Sequence, residues 1–171
     1  MTRTGRWTTQ SLQTPIAVAN YFIAKSLSSG NPLTPIKLIK MVYIAHGWHL
    51  ARKSEPLLTE GIQAWKFGPV IESLYHEVKR FGDRQITSLI TVQTPEGPFT
   101  PMVEDEETRR FLDNVWNAYA RYSGLQLSTL THRADTAWHE VWYKQDGKTQ
   151  RRALIPNDLI AEHYRKLEHV R

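Results

Sequence analysis

Apolar positions recur three and four residues apart along most of this chain and alternate in only two short stretches. Thr14-Pro15 opens the first helical pattern, with Thr as N-cap and Pro at the first helical position. Ile16, Ala19, Ile23 and Leu27 form its stripe, and the run Ser28 to Pro32 ends it. Thr34-Pro35 repeats the start signal, and the second pattern runs to about Arg52. Ile36, Ile39, Tyr43 and Leu50 lie on one side of it, and Leu38, Met41, Ala45 and Trp48 on another. A helix apolar nearly all round is enclosed by other elements, so this one is the expected centre of the fold. Lys37 and Lys40 interrupt it, and Lys40 is expected to stretch its charge to the surface.

Gly61 to Phe67 alternates and carries two aromatics, which predicts a strand. Gly68-Pro69 breaks it and starts a third helix over about 70–81, closed by Gly82. Within 83–103, Ile86, Ser88, Ile90 and Val92 share one parity, and Thr94 to Pro98 is a turn signal. A small hairpin or a surface loop both satisfy that pattern. A fourth helix is predicted over 105–122, with acidic residues leading and the stripe Phe111, Val115, Ala118 and Tyr122, flanked by Leu112, Trp116 and Tyr119. Ser123-Gly124 stops it; Ser128 and Asp135 are the expected caps of two short helical turns, the second bearing Trp138 and Trp142. Pro156-Asn157 opens the last helix, with stripe Ile160, Tyr164 and Leu167. The expected fold class is mainly α (α+β), a compact helical domain around a buried central helix, with a small strand or hairpin element. Residues 1–13 read as a flexible N-terminal arm and 14–171 as one domain.

Composition narrows the chemistry. The 171 residues include no Cys, which excludes a disulfide scaffold, a thiolate metal site and a cysteine nucleophile, and fits a cytoplasmic protein. No run of 18 apolar residues offers a membrane span, and the polar N-terminus has no signal-peptide core. The net charge of +5 is unevenly placed. Residues 1–85 carry 11 Lys and Arg against 5 Asp and Glu, and residues 86–171 carry 11 against 12. A basic first half suits an acidic partner surface.

No phosphate-binding loop, dinucleotide fingerprint, nucleophile elbow or HExxH motif is present. His46 and His49 share a side of the central helix and could take a third ligand from Glu72, His76 or His132. Their expected role is hydrogen-bonded structure, so no metal or other cofactor is assigned. His132 near Asp135 could form a general base, but the chain offers no partnered nucleophile. The expected role of His132 is to fix a turn by bonding backbone carbonyls, and no catalytic residue is assigned. No helix resembles a basic recognition helix, so nucleic acid is not an expected partner. Six Trp and seven Tyr exceed what a core of this size requires, which points to a protein-recognition surface. Arg3, Arg6, Lys66 and Arg84 are the candidate partner-binding residues, with Lys66 directed outward between a buried Trp65 and Phe67.

Two linked blocks carry a resemblance. The first runs Leu33-Thr34-Pro35-Ile36-Lys37-Leu38-Ile39-Lys40, then Tyr43 and Gly47-Trp48-His49-Leu50. It continues with Pro56-Leu57, Glu60, Ala64-Trp65-Lys66-Phe67-Gly68-Pro69-Val70 and Tyr75. The second holds Leu127-Ser128, Leu130-Thr131-His132 and Trp138. Over residues 15 to 167 the chain resembles the Panacea domain family, SocA-like and phage-associated GepA-type proteins. The resemblance implies a mainly helical, non-enzymatic antitoxin that neutralises a toxin encoded beside it by direct contact. Delivery of a toxin to the ClpXP protease is the alternative that it implies, and a nucleic-acid-binding phage-associated protein, acting through the basic first half, is a further one. The chain departs from the family where Ala137 stands in place of a Pro before Trp138. The matching residues read as mostly structural: Thr34-Pro35 starts a helix, Gly47 admits a close neighbour and Gly68-Pro69 forms a corner. Specificity is then expected in residues 1–13, 83–103 and 143–155, or in the acidic stretch Glu104 to Glu107.

Overall fold

In the computed structural model of the chain, residues 12–170 are described; Arg3 and Arg6 lie outside the described residues. Helix α1 (Pro15–Ser29) starts where Thr14 Oγ1 accepts from the Ala17 amide at 3.2 Å and ends at Gly30 in the left-handed region. Its buried face is wider than the predicted stripe, because Val18 and Phe22 join Ile16, Ala19 and Ile23, while Leu27 is 46% exposed. Gln13, assigned above to the arm, is buried and pairs with the 57–59 backbone: its amide donates to the Leu57 carbonyl and its carbonyl accepts from Thr59.

Helix α2 (Pro35–Lys53) is the centre of the fold, as its all-round apolar surface predicts. Every residue from Lys37 to Leu50 is buried, with α1, α5, α7 and α4 packed round it. Here α4 is Glu106–Tyr119, α5 Gly124–Thr131 and α7 Asn157–His169. The approach of α7 depends on Gly47, since a Cβ there would fall inside the Tyr164 ring. That ring meets Trp48 edge-on at 5.1 Å and Tyr43 at 6.1 Å.

Strands β1 (Ile62–Trp65) and β2 (Gly68–Val70) form an antiparallel hairpin with Trp65 opposite Gly68. β5 (Leu154–Ile155) pairs on the other side of β1, giving the order β2-β1-β5. The 83–103 segment does form a hairpin, β3 (Val92–Thr94) with β4 (Gly97–Phe99). Both hairpins turn alike: a two-residue tip, then a glycine at φ 116°, then a proline. A side chain is strained at that φ, so Gly68 and Gly97 do the turning. The second hairpin is anchored by Asn20, fully buried on α1. Its amide donates to the Ile90 and Pro101 carbonyls, and its carbonyl oxygen accepts from the Ile90 amide.

Several local expectations are corrected. Helix α3 (Glu72–Val78), extended by a 3-10 turn over Lys79–Phe81, begins two residues after Val70, because Gly68-Pro69-Val70 pairs with β1 instead of starting the helix. Ala118 faces solvent, and Leu112 and Trp116 complete the α4 stripe. Ser128 is inside α5; the cap is Ser123, in a reciprocal capping box with Gln126. Thr136, not Asp135, caps the short helix α6 (Ala137–His139), its Oγ1 accepting from the His139 amide. Ala137 thus sits at the first helical position, where proline is tolerated but not required.

Candidate functional site

Part of the two matching blocks meets at one corner, where the N-terminal half of α2 lies beneath the β1–β2 hairpin, while Gly47, Trp48 and His49 lie further along α2 against α7 and α4. Trp65 and Trp138 fasten it: the Trp138 Nε1 donates to the Trp65 carbonyl at 2.7 Å, and the Trp65 Nε1 to Gln63 Oε1 at 2.8 Å. Ala64 extends the sheet by donating to the Ala153 carbonyl, and Val70 lies opposite Gln63. Thr34 holds the N-cap position of α2 without a capping hydrogen bond, and Pro35 is its first helical residue.

Lys40 is not at the surface. It is 2% exposed, and its Nζ donates to the Pro69 carbonyl at 2.9 Å. A Cβ at Gly68 would lie 2.7 Å from that nitrogen, so the glycine clears its space. Burial lowers the Lys40 pKa to about 7. The stem is too enclosed to reach water, and the hairpin folds over it. Lys37 is buried as well and donates to the Ala120 carbonyl at 2.6 Å, at the C-terminal end of α4 where a cation suits the helix dipole.

The histidines have structural partners. His46 Nδ1 accepts from the Leu58 amide at 3.4 Å, which places the proton on Nε2, facing Asn157 Oδ1 at 3.0 Å. Burial lowers its pKa to about 4. His49 Nδ1 donates to the Glu55 carbonyl at 2.7 Å while its ring meets Phe111 edge-on, and burial lowers its pKa too. Among the described residues no three His, Asp or Glu side chains converge on a metal position. The His132 side chain bonds no backbone carbonyl among the described residues. Its Nδ1 lies 3.4 Å from Ser128 Oγ and its ring stands edge-on to Trp138, while Thr136 Oγ1 makes the turn's bond to the Arg133 carbonyl. The hydroxyl of Tyr43 is buried without a hydrogen-bond partner among the described residues, and that burial raises its pKa.

Lys66 is exposed, but Phe67 is not buried beside it. The pair forms the hairpin tip, so alternation stops there, and Phe67 is 70% exposed with Lys66 Nζ 5.5 Å from its ring. Below this tip lies a groove of about 550 Å³ between the start of α2 and the length of α3 with its 3-10 extension, with Ile36, Ile39, Trp65, Phe67 and Tyr75 among its walls. Arg84 is not in it. Its guanidinium bonds the Arg80 and Phe81 carbonyls and borders a separate depression beyond the 79–82 turn. Three residues of the acidic stretch at the start of α4 are engaged within the chain: Asp105 caps the helix, Glu106 pairs with Arg110 and Glu107 with Lys53.

The arrangement is that of a small mainly helical scaffold whose interior polar groups hold backbone in place and whose hairpin presents apolar side chains outward. The family described as "Antitoxin SocA-like, Panacea domain" matches residues 38–139, a span from the first turn of α2 to the end of α6, and the chain belongs to that family. It is 28% identical over 128 residues to "Antitoxin SocA" of Caulobacter vibrioides (strain NA1000 / CB15N), covering 73% of this chain and 68% of that protein. No solved structure matches the chain. No helix among the described residues is long and apolar enough to cross a membrane.

Proposed function

We propose that this chain is the antitoxin of a toxin–antitoxin pair and neutralises its toxin by direct protein contact, without chemistry of its own. The observation that carries this reading is the family match over residues 38–139, which include the β1–β2 hairpin. The geometry supports it. His46, His49, Lys37 and Lys40, the groups with the most chemical potential on α2, are each bonded to backbone or to a neighbouring amide side chain. Phe67 and Ile36, by contrast, are among the large apolar side chains left exposed.

The test is coexpression with the product of the adjacent reading frame. That product alone should arrest growth, and coexpression should restore growth and yield a complex on co-purification. A harmless neighbour, or arrest that persists, overturns the reading. Delivery to ClpXP is the alternative mode: it requires the toxin's half-life to fall when this chain is present. Rescue with an unchanged half-life assigns the effect to occlusion.

A further inference from the structure

We propose that the groove under the β1–β2 hairpin is the surface on which the toxin docks, and that it takes a segment presenting an apolar side chain beside a carboxylate; this rests on the antitoxin reading. The groove is open and apolar. Phe67 is 70% exposed and Ile36 40%; both line the groove, and Ile36 also packs against Gly124 at the start of α5. An apolar side chain seated against them would remove their exposed surface from water, a gain proportional to the area covered.

Its charge has one sign. Lys66 stands at the tip, Lys79 at the far rim and Lys40 on the floor, and no Asp or Glu lines the groove. Among the described residues none of the three is paired with a carboxylate. Lys66 and Lys79 lie 5.5 Å and 6.0 Å from the ring centroids of Phe67 and Tyr75, and Lys79 also contacts His76 Nδ1. The Lys40 ammonium has three donors and one acceptor, the Pro69 carbonyl. Lys40 is too enclosed to touch a docked segment, but its charge adds to that of the rim, and an apolar groove with the basic rim of Lys66 and Lys79 is complementary to a carboxylate and repels a basic segment.

The walls favour a protein over a nucleic acid. Ile36, Ile39 and Val70 offer neither stacking nor phosphate contacts, and Trp65 and Tyr75 pack edge-to-face on each other at 4.9 Å. The contrasting groove lined by Trp48, Tyr119 and Tyr164 carries both Arg133 and Asp135, so its charge selects no sign. The docking surface therefore lies on the family-matching hairpin rather than in the 83–103 or 143–155 segments.

The test measures binding of the full chain to the adjacent reading frame's product by calorimetry at physiological salt. Phe67→Asp should weaken binding about 30-fold or more, the scale of a central contact. Lys66→Glu with Lys79→Glu should weaken it about tenfold and flatten its salt dependence. Leu154→Asp, an exposed apolar position on β5 outside the groove, should stay within about twofold, as peripheral contacts do. All the substituted side chains are exposed, and an unchanged thermal melt shows that each variant is folded. Binding of the groove variants within about twofold of the unsubstituted chain overturns the proposal and leaves the antitoxin reading standing. No binding by the unsubstituted chain overturns both. Tighter binding of a short single-stranded RNA, lost in Phe67→Asp, overturns the protein partner in favour of RNA.

Discussion

The interior of α2 and the tip of the β1–β2 hairpin are inverted with respect to the usual placement of residues. The helix interior holds two lysines and two histidines, while the hairpin tip, a few ångströms away through Lys40, exposes a phenylalanine. The inner groups are tolerated because each has a hydrogen-bond partner, which limits the cost of removing a polar group from water. The outer group has no such local explanation. A buried polar group with all its partners inside the chain is architecture; an exposed aromatic with none is available to another molecule.

The comparison is broken most severely at the packing that encloses the inner region. Gly47→Val should place its side chain in the Tyr164 ring and cost more than about 4 kcal/mol, or prevent folding, as read by urea denaturation. Next is the buried ammonium. The folded pKa of Lys40 is about 7, below that of a lysine in the unfolded chain. Between about pH 7 and 10 the unfolded chain therefore holds the extra proton, and stability rises with pH across that window. Below pH 7 the full penalty remains. Lys40→Met should flatten that rise and stabilise the fold by up to about 4 kcal/mol at pH 7, less the cost of leaving the Pro69 carbonyl unbonded. Equal pH slopes in the two proteins would show that the amine is not buried.

His46 gives the third effect, on the acid side. Its folded pKa is about 4, again below the unfolded value, so the unfolded chain alone takes up a proton between about pH 6.5 and 4. Stability should fall by up to about 3 kcal/mol as pH drops through that window. His46→Gln should remove one proton's share of the slope, leaving the smaller contributions of His49 and His163, whose pKa values burial also lowers. The smallest effect sharpens the outer half of the comparison. Phe67→Ser should change unfolding free energy by no more than about 0.5 kcal/mol, since the ring covers little of the core. A larger loss would make Phe67 a structural residue.

Much of the helical framework was legible. Thr14-Pro15, Thr34-Pro35 and Pro156-Asn157 each lie at a helix start, and the absence of a polar face on 35–53 located the centre. These signals act within one or two helical turns, so neighbouring residues suffice to read them. Asn20 was not legible: within the first stripe it looks like an ordinary polar interruption, and its three hydrogen bonds reach 70 and 81 residues along the chain. Phe67 was misread because alternation was carried through a turn whose tip begins at Lys66. The caps at Ser123 and Thr136 were missed because several Ser, Thr and Asp residues competed, and only the backbone geometry selects among them.

By itself, then, the sequence determined the helical class, the buried helix at its centre and a family resemblance, because caps and periodicity are local physics. The tertiary structure alone decided which lysines are inside, which aromatic is outside, and that α2, the hairpin and α3 enclose a basic apolar groove. Those outcomes depend on segments tens of residues apart closing over one another, and the reach of a lysine stem cannot be judged before the element that covers it is in place.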